Sequence, residues 1–275
     1  MVRYGHVLAV VIGALAAPCE ASAQVNVEIL RPNPLRAGLS GGLDGSFALS
    51  RGNIELLDVG GATRIQYQIL HRQAQIPEGQ PRPLPFIAQR LSLTSSGRFA
   101  DRAGGTIVNQ AFAYARWTAM WHRRVGSELF AQYQYNEFLR LQARALVGLG
   151  VRVEIIHEHA LMSWAGTAYM PEYNRIRSIA GAPDAPETLD HRLANHLAIR
   201  LSLLEDRILL QSTLYVQPRL DDFQDIRILE ELEILSKITD LFAFGTTLGI
   251  LFDSAPPTQV KSTDLRLLTT IRLSF

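Results

Sequence analysis

Residues 263–275 read TDLRLLTTIRLSF, and the order of polar and apolar side chains in this stretch decides the fold class. Leu265, Leu267, Thr269, Ile271, Leu273 and Phe275 share one parity; Asp264, Arg266, Thr270, Arg272 and Ser274 share the other, with Leu268 the exception. A β-strand sends successive side chains to opposite faces, so a period of two sorts these residues into a greasy face and a charged face. On a helix the same charges would lie all round the circumference.

The pattern recurs toward the N-terminus. Residues 226–237 set Ile226, Ile228, Leu232 and Ile234 against Arg227, Glu231, Glu233 and Lys237. Residues 192–203 oppose Leu193, Leu197, Ile199, Leu201 and Leu203 to Arg192, His196, Arg200 and Ser202. Residues 141–152 oppose Leu141, Ala143, Ala145, Val147, Leu149 and Val151 to Gln142, Arg144, Gly148, Gly150 and Arg152, and 59–70 oppose Ile65, Tyr67 and Ile69 to Arg64, Gln66 and Gln68. Twelve segments of this kind are expected, at 40–50, 55–70, 85–97, 107–120, 127–136, 139–153, 160–171, 190–203, 208–217, 226–236, 241–252 and 263–275. The third and fourth are the least regular, because Phe112 and Tyr114 share a face with Arg116.

Residues 1–23 have the form of an export signal: Arg3, an apolar run from Val7 to Ala17, and Ala21-Ser22-Ala23 before Gln24. Residues 24–39, with Pro32, Pro34, Arg31 and Arg36, are expected to be an irregular lead-in, and 40–275 a single domain. The chain has 275 residues, with 27 Lys+Arg against 26 Asp+Glu, and its one cysteine, Cys19, lies in the expected signal. A formal net charge of +1 without a basic run gives no footprint for nucleic acid. One cysteine excludes an intramolecular disulfide framework.

No stretch after Gln24 approaches the roughly 18 apolar residues of a membrane helix, whereas ten-residue alternating segments suffice to cross a bilayer as tilted strands. Lipid offers backbone amides no partner, so only a closed sheet survives there. The expected fold is therefore all-β: a transmembrane antiparallel up-and-down β-barrel of about 12 strands in a bacterial outer membrane. Connection lengths agree in the C-terminal half, where Leu204–Arg207 and Lys237–Asp240 are tight while Glu172–Leu189, Pro218–Asp225 and Asp253–Ser262 are longer. Arg51–Asn53, short, and His71–Leu84, long, break that rule.

The chain ends in Phe275 behind Leu273 and Ile271, which resembles the signal by which the barrel-assembly machinery recognises outer-membrane substrates. Residues 213–275 resemble the salt-induced outer-membrane protein family, a domain of unknown function. The resemblance is carried by Tyr215-x-x-Pro218-x-Leu220-Asp221-Asp222-Phe223, Glu231, Thr239-Asp240, Asp253-Ser254-x-Pro256-Pro257 and Thr263-Asp264. Gly45-Ser46-Phe47-Ala48-Leu49-Ser50-Arg51-Gly52-Asn53 is similar to that family's first hairpin. The resemblance implies a signal peptide and an outer-membrane barrel, and it brings no activity, cofactor or catalytic residue. Glu230 departs from it, falling on the apolar face, which requires either a local register shift or a place near the membrane interface.

Three groups carry polar chemistry. His157-Glu158-His159 lacks a third ligand and reads as a solvated turn. Asp190, His196 and Ser202 would share a strand face but stand too far apart for successive hydrogen bonds. Asp221, Asp222 and Asp225 form an acidic loop, read as an Asx turn rather than a site for a divalent cation shared with lipopolysaccharide. No catalytic or metal site and no cofactor is expected; the expected partners are outer-membrane lipid and lipopolysaccharide. The lumen is the better candidate: Arg64, Arg144, Arg152, Arg192, Arg200, Arg227, Arg266 and Arg272 point inward against Glu231, Glu233 and Asp264. If the bore is open, that excess attracts anions; alternatively, Arg–carboxylate pairs fill it. The expected role is structural or that of a small diffusion pore, with a lipid or peptide hydrolase or a soluble ligand-binding β-protein as the alternatives.

Overall fold

The computed structural model describes residues 37–50, 56–71, 84–102 and 105–274. The expected signal, the lead-in up to residue 36, Arg51–Asn53, most of His71–Leu84 and Phe275 lie outside the described residues. Twelve strands follow one another: β1 Gly38–Ser50, β2 Leu56–Leu70, β3 Ile87–Arg102, β4 Gly105–Met120, β5 Val125–Asn136, β6 Leu141–His157, β7 Leu161–Ile176, β8 Glu187–Leu203, β9 Ile208–Pro218, β10 Ile226–Lys237, β11 Phe242–Asp253 and β12 Thr263–Ser274. Each strand pairs antiparallel with its sequence neighbours, and β1 pairs with β12, so the sheet closes into an up-and-down barrel.

Each expected segment is a strand, with ends that differ in instructive ways. β1 starts at Gly38, two residues into the expected lead-in, and β3, β6, β7 and β8 run longer than expected. β7 continues to Ile176, which moves Glu172 from an expected loop into the wall and leaves the connection at 177–186. Polar inward residues near a strand end, here Glu172 and Asn174, look like loop in a sequence. The strands contain from 11 to 17 residues, enough to cross a hydrocarbon core when tilted.

The end of the barrel that holds the start of β1 and the end of β12 is the terminal end; the other is the loop end. Connections 121–124, 158–160, 204–207 and 238–241 are tight turns at the terminal end. Connections 177–186, 219–225 and 254–262 at the loop end are longer. Short side chains close several turns. Thr239 Oγ1 accepts from the Phe242 amide at 2.9 Å, and Asn136 Oδ1 accepts from the Phe138 amide at 3.1 Å. Asp222 Oδ1 accepts from the Gln224 amide at 3.0 Å, the Asx turn expected for that loop.

The outer face is apolar along its whole girth, for example at Ile65, Leu93, Leu129, Val151, Leu197, Ile234 and Ile250. Outward aromatics cluster toward both ends. Tyr67, Trp117, Trp121, Phe242 and Phe244 lie toward the terminal end, and Phe99, Tyr133, Phe138, Tyr169 and Tyr173 toward the loop end. Two aromatic girdles flanking an aliphatic band are what a membrane–water boundary on each side selects.

Three details differ from the sequence reading. Phe112 and Tyr114 do share a face with Arg116, but that face is the lumen: both rings are buried with Phe130, Leu146 and Met170 in an interior apolar cluster, and the Arg116 guanidinium lies 5.4 Å from the Tyr114 ring centre. Leu141 turns inward and is buried, because the register of β6 against β7 shifts between Leu141 and Ala143. Glu230 faces outward mid-strand with no register shift in β10; the Ser212 hydroxyl on β9 donates to its carboxylate at 2.7 Å.

The interior cluster depends on one missing side chain. The Phe130 ring lies flat over Gly148 on the neighbouring strand, where any Cβ would collide with ring carbons. Gly148→Val should therefore displace the ring and destabilise the refolded barrel by about 1–3 kcal/mol, the usual range for overpacking. The measurement is the urea midpoint of heat-modifiable gel mobility; an unchanged midpoint contradicts this packing.

Candidate functional site

The inward face of the sheet brings the polar residues together. Arg64, Arg144, Arg152, Arg192, Arg200, Arg227, Glu231, Glu233 and Arg272 are buried inside the barrel, and Arg266 is half-buried there. Ile271 and Leu273 stand on the outer face of β12. The lumen also holds charges that sequence reading placed elsewhere or left unassigned: Arg90, Arg98 and Arg116, and the carboxylates Asp44, Asp58, Glu128, Glu154, Glu172 and Asp253. These carboxylates reduce the expected excess of arginine: most of the lumen guanidiniums stand beside an acid, while Arg90 donates to the Gln68 side chain at 2.9 Å.

Two carboxylates organise the packed half of the lumen. Glu172 on β7 accepts from Arg227 Nη1 on β10 at 2.5 Å and from Asn174 Nδ2 at 2.8 Å, and lies 3.4 Å from Arg144 Nε on β6. Arg227 Nε also donates to Asp253 at 3.0 Å. Strands β8 and β9 separate β7 from β10, so this contact is a chord across the interior. Glu128 on β5 accepts from Arg152 Nη1 at 3.1 Å and from Thr118 Oγ1 at 3.3 Å, with Arg116 Nη1 at 3.6 Å. Arg152 in turn donates to Glu154 at 2.9 Å and lies 4.9 Å from the Trp164 ring centre.

The other half is lined by shorter residues. Asp44 on β1 holds Arg64 on β2 and lies 3.5 Å from Arg272 Nε on β12; Arg272 donates to Glu233 at 2.6 Å and Arg266 to Glu231 at 2.6 Å. Gly245 and Gly249 on β11 leave the room these two glutamates occupy.

At the loop end a single residue fastens two connections. Arg140, in the turn between β5 and β6, adopts a left-handed backbone with φ 58°. Its guanidinium donates to Asp184 at 2.6 Å, to the Thr258 carbonyl at 2.7 Å and to the Arg177 carbonyl at 2.7 Å. Asp184 also accepts from the Thr258 amide at 3.1 Å, so connections 177–186 and 254–262 meet over the mouth. The Arg140 hydrogen bond and then the Thr258 amide hold the Asp184 carboxyl below the usual aspartate range. A cavity of about 220 Å³ lies beneath, bordered by Arg144, Arg192, Asp225, Arg227 and Asp264.

The three tempting groups are placed plainly. His157 stacks on Phe86 with ring centres 4.1 Å apart, which joins the segment before β3 to the end of β6, and Glu158 and His159 are exposed. Among the described residues, no three His, Cys, Asp or Glu side chains form a metal-binding group. Asp190, His196 and Ser202 are not brought together: Asp190 accepts from Asn174 at 3.0 Å, whereas His196 lies 4.0 Å from Glu128. Asp221 and Asp225 both pair with Arg219, at 2.8 and 2.9 Å, and Asp225 also takes Arg192 at 2.8 Å.

Residues 86–275 match the sequence model of a family described as a protein of unknown function, DUF481. No curated protein matches the chain. Among solved structures the chain is similar to the KdgM porin in complex with disordered oligogalacturonate, at 12% identity and a TM-score of 0.43, with 86% of this chain and 99% of that chain covered. It is similar to the NanC porin at 9% identity and a TM-score of 0.44, covering 86% and 98% respectively. The translocator domain of the autotransporter NalP from Neisseria meningitidis gives 11% identity and a TM-score of 0.43, covering 90% and 91%.

Removing one member of a buried ion cluster strands its partners, at about 3–5 kcal/mol. Glu172→Ala leaves Arg144 and Arg227 facing each other, and a loss of that size is expected in the urea unfolding of the refolded barrel; a loss below about 1 kcal/mol contradicts the cluster. The Asp184 clasp makes a pH prediction. Its folded pKa is depressed, so its contribution is complete above the unfolded value of about 3.9 and disappears as pH falls through the lower, folded value. The protection factors of amides in 177–186 and 254–262, taken against the intrinsic exchange rate at each pH, should hold steady from about pH 8 to about pH 5 and fall only below the ordinary aspartate range. Asp184→Asn should weaken the clasp at neutral pH, and equal protection in variant and parent contradicts it.

Proposed function

On the premise that this chain belongs to the DUF481 family, we propose that it is an integral outer-membrane barrel whose lumen is held shut in the resting state by ion pairs. It serves as a structural element of the envelope or as a restricted pore for water and small ions. The observation that carries this reading is the Arg227–Glu172 chord with its dependants. Arg152, Arg192, Glu172 and Glu233 each retain 2% exposure or less, whereas side chains lining a water-filled bore would be wet.

The apolar outer face and the aromatic girdles support a place in a bilayer. From β6 onward, tight turns at the terminal end and longer connections at the loop end support a periplasmic terminal end. On this reading outer-membrane lipid and lipopolysaccharide surround the barrel, and the barrel-assembly machinery reads Ile271, Leu273 and Phe275. The resemblance to salt-induced outer-membrane proteins adds a role under osmotic stress. Sealing by paired charges fits that setting, because a leaking bore is costly when external salt changes. With carboxylates beside each arginine cluster, any residual conductance carries little preference for anions.

Planar-bilayer recording on the refolded protein tests the proposal. The expected result is small, rare openings with weak ion selectivity, made more frequent by Arg140→Ala, which releases the loops from the mouth. Large, continuous openings with strong anion preference would overturn it.

A further inference from the structure

Cavities and polar groups follow one another down a single side of the lumen. The inward residues of β12 give their order from the loop end. Asp264 borders the mouth cavity of about 220 Å³, and Arg266, Leu268 and Thr270 border a second cavity of about 170 Å³. Ala62 on β2 and Thr94 and Ser96 on β3 line the other wall of that chamber. The ion pairs on its loop side are partly wet: Arg266, held by Glu231, keeps 20% side-chain exposure, and Arg98 and its partner Asp58 keep 22% and 18%.

On the terminal side of the chamber the next inward residues form a drier layer. Asp44 holds Arg64 and lies 3.5 Å from Arg272, which donates to Glu233 at 2.6 Å. Two acids and two bases thus make a chain from β2 through β1 and β12 to β10, passing Gly245 on β11. Arg64 and Glu233 keep only 3% and 2% side-chain exposure. Beyond this layer Ser40 stands opposite Gln66, with Gln68 the next inward residue of β2. Ser40 Oγ, both polar side-chain atoms of Gln66 and Gln68 Nε2 are buried without a hydrogen-bond partner among the described residues. Gln66 and Gln68 are each only 1% exposed, and amides buried in that condition are sites for water. A dry charged layer therefore separates wettable groups on its two sides, whereas Phe112, Tyr114, Phe130 and Met170 fill the β4–β8 side.

We infer that water and small ions cross the barrel along the β1–β2–β12 side, and that the Asp44–Arg64–Arg272–Glu233 chain is the gate and sets which sign of ion passes. The inference deepens the restricted-pore reading and rests on it. The four charges cancel, so removing one leaves the other sign in excess at the narrowest point. Asp44→Asn leaves two guanidiniums against Glu233; Arg64→Gln leaves two carboxylates against Arg272.

Planar-bilayer recording of the refolded protein in potassium chloride reads both effects. Each variant opens about tenfold more often than the parent, with chloride preferred in Asp44→Asn and potassium in Arg64→Gln. Equal frequency in parent and variants, or the same ion preference in both variants, overturns the gate, because a barrel that is merely loosened has no reason to reverse its selectivity. The route is tested separately with single cysteines in a Cys19→Ser background and a cationic methanethiosulfonate. Ser96→Cys and Gln66→Cys react about tenfold faster than Ala168→Cys and Ala198→Cys, which face the packed half, and modification of Ser96→Cys blocks the Asp44→Asn openings. Equal rates at the four positions, or openings that survive the modification, overturn the route. Large, continuous openings of the parent would instead overturn the sealed resting state on which the inference rests.

Discussion

Backbone hydrogen bonding on both sides of every strand is the constraint from which the rest of this molecule follows. Each strand from β2 to β11 has a partner on either side, and the ring is joined where β1 meets β12 over Gly42–Gly45 and Ile271–Ser274. A sheet that spends its amides on neighbours in this way is free to turn an unbroken apolar face outward, and the period of two then obliges the alternate residues to face in. Leu265 outward makes Arg266 inward; Ile228 outward makes Arg227 inward. The charged lumen is thus a consequence of the greasy exterior.

Once charges are forced inside, their number and spacing decide whether the barrel conducts. A dry interior tolerates a guanidinium only with a carboxylate beside it. The chain meets that condition strand by strand, with Glu172 between Arg144 and Arg227, Glu128 between Arg116 and Arg152, and Asp44 between Arg64 and Arg272. Phe112, Tyr114, Phe130 and Met170 fill the space that these pairs leave on the β4–β8 side. No equivalent aromatic plug occurs among the described inward residues of β1, β2, β11 and β12, where Gly42, Ala62, Gly245 and Gly249 stand instead. The sealed and the accommodating halves of the lumen therefore differ in side-chain size rather than in charge.

The strands were legible in the sequence because a one-sided apolar face leaves a strict alternation, as at Leu265 to Leu273. The candidate site was legible only in part. Parity put Arg227 and Glu231 inside, but the partner of Arg227 lies 55 residues away on a strand that is not its neighbour, and no local pattern encodes a chord across a barrel. Glu172 and Asp253 read as loop because polar inward residues at strand ends resemble turns. Phe112 and Tyr114 obscured β4 because interior aromatics imitate a lipid-facing row. Arg140 gave no signal at all: its role depends on a left-handed backbone and on two connections that meet only in the folded chain.

The most direct measurement of the central claim is nitroxide scanning along β10 in lipid vesicles, comparing collisions with oxygen, which favours lipid, and with a water-soluble nickel chelate. Labels at Ile228, Leu232 and Ile234 should collide with oxygen, and labels at Leu229, Glu231 and Glu233 with neither reagent. Strong nickel collisions at the second set would show a wet, open bore, and the absence of any alternation would show that this face does not meet lipid; either result contradicts the account.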